Sequence, residues 1–385
     1  MSGKRFDGDL LIVAGEASGD LHGARLLAEL HQIAPEVRTY GLGGDELAAA
    51  GTELIAHSSE ISVVGISEVA RILPRAREIY RQLLAEVDRR QTRAALLIDF
   101  PDFNLRLARA LVQRGVKTLY YISPQVWAWR RGRVRTIQRL IDKMLVILPF
   151  EVDFYGQQGV EAVHVGHPLV DEVPKLPQRW DQQGDAEEPF SIAILPGSRT
   201  SEIASNLPVM LGAAARLERR LPCRWRLIKA PTVPMEILAE AVEESRLTIE
   251  IIDKDRFTAI ADSHLAICAS GTATLEVGLL GTPMVMVYRL SPSTYLLGRA
   301  LVRLPHIALV NLVLERRAVP ELLQKEASAE TIAETAAAIL TDRDRIRSMK
   351  RDLAELRGRL GESGASRRAA QEVWQVLEKA SVVGQ

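Results

Sequence analysis

Short apolar runs alternate with amphipathic stretches along most of this 385-residue chain. In the first half the runs are Leu10–Ala14, Thr39–Leu42, Ala94–Ile98, Thr118–Ile122, Lys143–Ile147 and Ala162–Val165. Each has strand length, and Ala94–Ile98 is apolar at every position, as a strand buried on both faces requires. Helical periodicity follows from about Leu21, Asp45, Pro74, Asn104, Val134 and Val152. This repeated strand–helix order predicts a parallel sheet with helices on both faces.

The pattern dissolves after His167-Pro168, where Leu176 to Pro189 is polar and reads as a linker. It then resumes with runs at Ser191–Leu195, Arg224–Lys229, Thr248–Ile252, Leu265–Cys268 and Pro283–Tyr288. The expected fold is α/β: two Rossmann-like, doubly wound parallel-sheet domains facing an interdomain crevice. Their spans are 1–170 and 191–345, joined by a linker over 171–190. Residues 346–385 are expected as helices returning to the first domain. The apolar stretch Leu265 to Tyr288 is interrupted by Glu276, Gly271, Gly278, Gly281 and Pro283, so it reads as strand, helix and strand rather than a membrane span.

Composition narrows the function classes. With 49 basic and 49 acidic residues the formal net charge is zero, which gives no whole-chain case for nucleic-acid binding. The two cysteines, Cys223 and Cys268, form no CxxC or Cys/His motif, so neither a disulfide framework nor a zinc site is expected. The opening MSGKRFDGDL lacks the apolar core of a secretory leader, and a cytoplasmic location is expected.

In doubly wound sheets ligands sit outside the carboxyl ends of strands, near helix N-termini. The turns after the strands therefore carry the candidate chemistry. The first, Gly15-Glu16-Ala17-Ser18-Gly19-Asp20, has glycines at 15, 19 and 23, which is not G-x-G-x-x-G. The next strand ends in Gly41 and Gly43 rather than in an acidic ribose ligand, which disfavours a dinucleotide enzyme. Two readings stay open for this turn: a tight bend capped by Ser18 or Asp20, or a ligand-facing loop.

Pro196-Gly197-Ser198-Arg199 combines a glycine that admits close backbone approach with a guanidinium fork suited to phosphate. Ser270-Gly271-Thr272 opens a helix whose free N–H groups suit a pyrophosphate, and Glu276 lies within reach of a ribose diol. Asp99-Phe100-Pro101-Asp102-Phe103-Asn104 supplies two carboxylates, either as helix caps and ion-pair partners or as a general base. His22 is a competing base. Trp127 and Trp129, among Arg130, Arg131, Arg133 and Arg135, form either a solvated basic face or a headgroup-binding surface. Val63 to Leu84 interleaves apolar residues with Arg71, Arg75, Arg77 and Arg81, a pattern fitting core packing or an anionic lipid surface.

Read in order, AGEASGD, PDFN, SPQVWAWR, LPFE, VGHPLVD, LPGSR and SGTATLE resemble the lipid-A-disaccharide synthase family, over about Leu10 to Leu323. The resemblance implies an inverting GT-B glycosyltransferase. Its donor would be UDP-2,3-diacylglucosamine and its acceptor 2,3-diacylglucosamine 1-phosphate. The products would be a β-1,6-linked disaccharide 1-phosphate and UDP, with no cofactor and no metal. It further implies Asp102 as the catalytic carboxylate, with Asp99 as the alternative base, and Arg199 on phosphate. Nucleotide would be held by Gly197, Ser198, Arg199, Ser270, Gly271, Thr272 and Glu276. Substrate would be met by Glu16, Ser18, Gly19, Asn104, Trp127, Arg130 and Asn311. The family usually has Pro-Asn where this chain has Val310-Asn311. The implied setting is the inner face of the cytoplasmic membrane of a Gram-negative-type bacterium, with an anionic membrane surface as partner and a homodimer as the candidate assembly. Other UDP-sugar enzymes, such as a UDP-GlcNAc 2-epimerase or a transferase building peptidoglycan, share this two-domain pattern. So would a catalytically silent nucleotide-sugar binding protein.

Overall fold

The computed structural model describes residues 8–61, 69–129, 131–177, 189–289 and 304–382. They form two compact units, one made of Met1–Pro168 with Gly361–Gln385 and the other of Leu169–Leu360.

In the first unit the strands are β1 (Asp9–Ala14), β2 (Arg38–Gly43), β3 (Glu53–His57), β4 (Ala94–Ile98), β5 (Lys117–Tyr121), β6 (Lys143–Val146) and β7 (Ala162–His164). They pair in parallel in the order β3-β2-β1-β4-β5-β6-β7. Successive side chains alternate between faces, so each strand feeds two cores. On one face Leu11, Val13 and Leu97 pack with Ile79 and Leu83 of helix Val69–Arg90 and with Leu107 and Leu111 of helix Pro101–Gln113. On the other, Leu10, Ile12 and Leu96 meet Leu26, Leu27 and Leu30 of helix Ala17–Ile33. The same core takes in Ala369, Ala370, Val373 and Leu377 of helix Ala365–Val382. Helices Arg343–Ala354 and Leu356–Leu360, by contrast, belong to the second unit.

The second unit contains β8 (Phe190–Leu195), β9 (Cys223–Ile228), β10 (Ile249–Ile252), β11 (Leu265–Ala269), β12 (Met284–Tyr288) and β13 (Glu321–Leu323), in the parallel order β10-β9-β8-β11-β12-β13. Both sheets therefore reverse their winding once. In the first the reversal falls between β1 and β4, where Ala14 lies opposite Ile98. In the second it falls between β8 and β11, where Leu195 lies opposite Cys268. Crossovers leave such a pair in opposite directions, so the loops beyond its carboxyl ends diverge and leave room for a ligand.

Every run read from the sequence as a strand is a strand, within two residues at each end. The edge strands β3 and β13 were not expected. Helices begin earlier than their periodicity implied: at Ala17 rather than Leu21, Val69 rather than Pro74, Pro101 rather than Asn104, and Phe150 rather than Val152. Proline suits the first helical position because it has no N–H to leave unsatisfied, so Pro101 marks the true start. Asp102 is thus inside the first turn rather than ahead of it. Arg130, Val63, Val64, Ile66 and most of the polar linker lie outside the described residues.

Candidate active site

At the switch point of the first sheet the turns after β1 and β4 lock together. A β-carbon at Gly15 would lie 2.2 Å from Phe100 Cδ1, so the phenyl ring occupies the space any other residue at 15 would need. Gly19 packs against Ile98 and Ala14. Asp20 does not cap its own helix. Its buried carboxylate accepts the backbone N–H groups of Gly44 at 2.6 Å, Glu46 at 3.0 Å and Leu47 at 3.2 Å, capping helix Asp45–Ala49. Helix Ala17–Ile33 itself begins at Glu16 with no side-chain cap, and Glu16 and Ser18 are exposed there. An uncapped first turn presents backbone donors and the positive end of the helix dipole.

The turn after β4 is strained. Asp99 and Phe100 both have positive φ, at +42° and +49°, and Ile122 just after β5 has φ +61°. Non-glycine residues take the left-handed region at a cost, and such residues gather at sites the surrounding structure holds in place. The restraints here are the Tyr120 hydroxyl, which donates to Asp99 O, and the Asn104 amide, which donates to Asp99 O at 2.7 Å and Ile98 O at 3.2 Å. Asn104 is fully buried. Asp102 projects outward with its side chain 74% exposed and accepts a hydrogen bond from Arg133.

Trp127 is buried, with its ring edge-on to Phe150 at 5.0 Å between centroids. Its indole N–H donates to Glu151 Oε1 at 2.9 Å. It acts as a pin for the Ser123–Trp127 turn rather than as an exposed contact. His22 is half-buried near His167. Burial, together with His22 and His164, pushes the His167 imidazole down to about 3, too weak a base to serve at neutral pH.

In the second unit Gly197 and Gly271 have φ of +127° and +130°, conformations that side-chain-bearing residues resist. They turn the chain from β8 and β11 into helices Thr200–Leu217 and Thr272–Leu279. Glu202 Oε2 accepts the Ser198 N–H at 2.9 Å, while Arg199 Nη1 donates to Glu202 Oε1 at 3.1 Å. Arg199 itself is 75% exposed. The buried Asn206 donates to Pro196 O at 3.3 Å and accepts from Arg289 N at 3.3 Å, tying the turn to the end of β12. No side chain caps the helix at Gly271, and the space beside Gly271 is open.

Glu276 lies one turn further, mostly buried, its carboxyl raised by burial and partly brought back by Arg256, whose Nη2 stands 3.2 Å from Oε1. Asn311 is fully enclosed. It donates to Val319 O at 2.9 Å and to Glu321 at 2.8 Å, and accepts from Val319 N at 3.0 Å. Sequence reasoning assigned no role to Asp20 beyond capping, and none to Tyr120, Glu151, Asn206, Arg256 or Glu321. Glu151 alone had a signal, since it closes the LPFE motif.

The geometry thus puts phosphate-type turns at one switch point and exposed carboxylates at the other. The family model described as Lipid-A-disaccharide synthetase matches residues 10–376. The lipid-A-disaccharide synthase of Myxococcus xanthus is 44% identical over 372 residues, covering 96% of this chain and 97% of the relative.

The chain belongs to the lipid-A-disaccharide synthase family.

Solved structures share the fold at much lower identity. The S. aureus MnaA–UDP co-structure aligns with a TM-score of 0.64 at 12% identity, over 96% of this chain and 97% of that one. The crystal structure of Acinetobacter baumannii MurG aligns at 0.60 and 13%, over 95% and 99%. Each sheet is a Rossmann-like unit of the GT-B kind, and the chain is a glycosyltransferase. The family match runs over nearly the whole length, whereas the MnaA and MurG likenesses, at 12% and 13% identity, show the fold alone. Among the described residues no helix is long and apolar enough to cross a membrane.

Proposed function

We propose that this chain transfers 2,3-diacylglucosamine from UDP-2,3-diacylglucosamine to the 6-hydroxyl of 2,3-diacylglucosamine 1-phosphate, by a single inverting displacement. The observation that carries the site assignment is the pairing of turns at each switch point. Asp102 stands exposed beyond β4, and Arg199 stands exposed beyond β8, whose neighbouring strand β11 leads into the uncapped Thr272–Leu279 helix.

Asp102 takes the proton of the acceptor hydroxyl as that oxygen attacks the anomeric carbon. The bond to the β-phosphate oxygen breaks on the opposite face, and negative charge collects on the departing UDP. Arg199 and the Thr272 helix N-terminus stabilise that charge. Gly197 and Gly271 let the phosphates come close to the backbone, while the Ser198 and Ser270 N–H groups are given to Glu202 and to Val287 O and hold the two turns in shape. Glu276 holds the ribose diol. Glu16 and Ser18, at the uncapped start of their helix, meet the sugars, and Gly19 lets that helix seat against β1 and β4. Asn104, Trp127 and Asn311 act through the backbone they hold. Asp99, three residues before Asp102, is the competing base.

The same unit carries a candidate lipid-facing surface. Helix Val69–Arg90 exposes Arg77 and Arg81, and Leu73 is 39% exposed. Apolar and cationic groups on one helix suit the headgroup region of an anionic leaflet, which fits a lipid acceptor and a location at the inner membrane face. Incubation with both substrates should give a β-1,6-linked disaccharide 1-phosphate, identified by mass spectrometry and anomeric NMR couplings. An α-linkage or no coupled product contradicts the reading.

A further inference from the structure

Glu151 is a carboxylate with almost no exposure, 1% of its surface, in a protein whose other acids are mostly paired or solvated. Only donors face it. The Ser123 hydroxyl and the Trp127 indole N–H both donate to Oε1, and the Leu148 N–H donates to Oε2 at 3.1 Å. Ser123 and Trp127 bracket the turn that leaves β5, next to the strained turn after β4 that bears Asp102. That turn bends sharply, with Val126 N donating to Pro124 O at 2.6 Å and Ala128 N to Gln125 O at 3.1 Å. The hydroxyl of buried Tyr155 reaches Pro124 O at 3.5 Å. One buried acid thus gathers the two ends of the Ser123–Trp127 turn and the start of helix Phe150–Gly156.

We propose that Glu151, as its carboxylate, is the positioning residue that fixes the Ser123–Trp127 turn beside Asp102, and so sets how tightly the phosphorylated sugar acceptor is held. The inference rests on the acceptor-side reading of this unit given above. With the Ile147 N–H a fourth backbone or side-chain donor reaches this carboxylate, which has about four lone-pair sites, so a proton can be taken only by giving up one of those bonds. A buried donor left without its acceptor costs more than the bond is worth in water, so losing one frees the turn. The groups facing Glu151 from neighbouring elements are Ser123, Trp127 and Tyr155, whose hydroxyl burial pushes well above its usual range. None of these carries a charge at neutral pH. Burial raises the Glu151 carboxyl to about 7, against the hydrogen bonds that lower it, so acceptor affinity should fall as pH drops below neutrality.

The test compares wild type, Glu151→Gln, Trp127→Phe and Ser123→Ala by steady-state UDP release, varying donor and acceptor separately from pH 5.5 to 9. Ser123→Ala removes one donor with little change of volume and Trp127→Phe removes the other while keeping a smaller aromatic ring against Phe150, so they report even if Glu151→Gln fails to fold. The expected result is an acceptor KM raised about tenfold, the scale of one charge-assisted hydrogen bond, with donor KM unchanged. Glu151→Gln should also lose the acidic limb of the acceptor kcat/KM profile. Unchanged acceptor KM in both single-donor variants, or an acidic limb that survives Glu151→Gln, overturns the inference. A wild type that releases no UDP in response to acceptor would overturn the transfer reading instead.

Discussion

Arg199 Nη1 lies 3.1 Å from Glu202 Oε1, while the other oxygen of the same carboxylate accepts the Ser198 N–H at 2.9 Å. The Arg199 guanidinium, the side chain proposed to meet a departing phosphate, is thus oriented by a carboxylate that also takes up the Ser198 N–H. That arrangement preorganises the Arg199 fork, which is where electrostatic catalysis derives its advantage. Arg199→Ala should lower kcat/KM by about a hundredfold, corresponding to roughly 3 kcal/mol of transition-state stabilisation. Arg199→Lys, which keeps charge but not the planar fork, should recover only part of this. Steady-state rates near wild type in Arg199→Ala remove it from the mechanism.

Glu276 and Arg256 make the corresponding pair at the proposed ribose position, at 3.2 Å. The carboxyl is raised by burial and needs its arginine to stay ionised and oriented. Glu276→Ala should weaken UDP binding about tenfold or more, by the loss of charged hydrogen bonds. Calorimetry with UDP and its 2′,3′-dideoxy analogue checks this: the variant should lose the preference for UDP. Equal preference in wild type and variant would mean that the carboxylate does not touch the diol.

Glu151 also makes a stability prediction. Its folded pKa of about 7 exceeds the ordinary 4.5, so between those values the folded state binds more protons than the unfolded one. Stability from this group is complete below about 4.5 and is lost as pH rises through about 7, up to about 3 kcal/mol. Glu151→Gln lacks that titration. In urea unfolding, the variant should therefore gain on wild type between pH 5 and pH 8. A pH-independent gap between the two proteins contradicts this.

Attraction of the Val69–Arg90 helix to anionic lipid should be salt-sensitive, because screening shortens the reach of its arginines. Sedimentation with phosphatidylglycerol vesicles should fall as salt rises from 0.05 to 0.5 M, and fall further in Arg77→Glu/Arg81→Glu. Equal binding to neutral vesicles would point to apolar insertion alone.

The parallel sheets were legible because their central strands are apolar on both faces, as in Ala94–Ile98. The two missed strands lie at sheet edges. Glu53–His57 is half-buried and mixed in polarity, and Glu321–Leu323 is only three residues long. Neither carries a period that sequence could reveal. The turns that bear the candidate site were legible as motifs, but their internal wiring was not. Asp20 reads as a cap for its own helix, yet its partners are Gly44, Glu46 and Leu47, more than twenty residues away. Asn104, Trp127 and Asn311 read as contacts, yet their amide and indole N–H groups are donated to the backbone or a buried acid. Side-chain direction within a loop is set by packing, which local sequence does not encode.

The most direct measurement is UDP release from UDP-2,3-diacylglucosamine, with and without 2,3-diacylglucosamine 1-phosphate, for wild type, Asp102→Ala and Asp99→Ala. Release should require the acceptor and fall by a factor of about a hundred or more in Asp102→Ala, the range expected when a general base is removed. Asp99→Ala should retain more activity than Asp102→Ala. Undiminished turnover in Asp102→Ala, or release that ignores the acceptor, would contradict a transfer reaction run from this carboxylate.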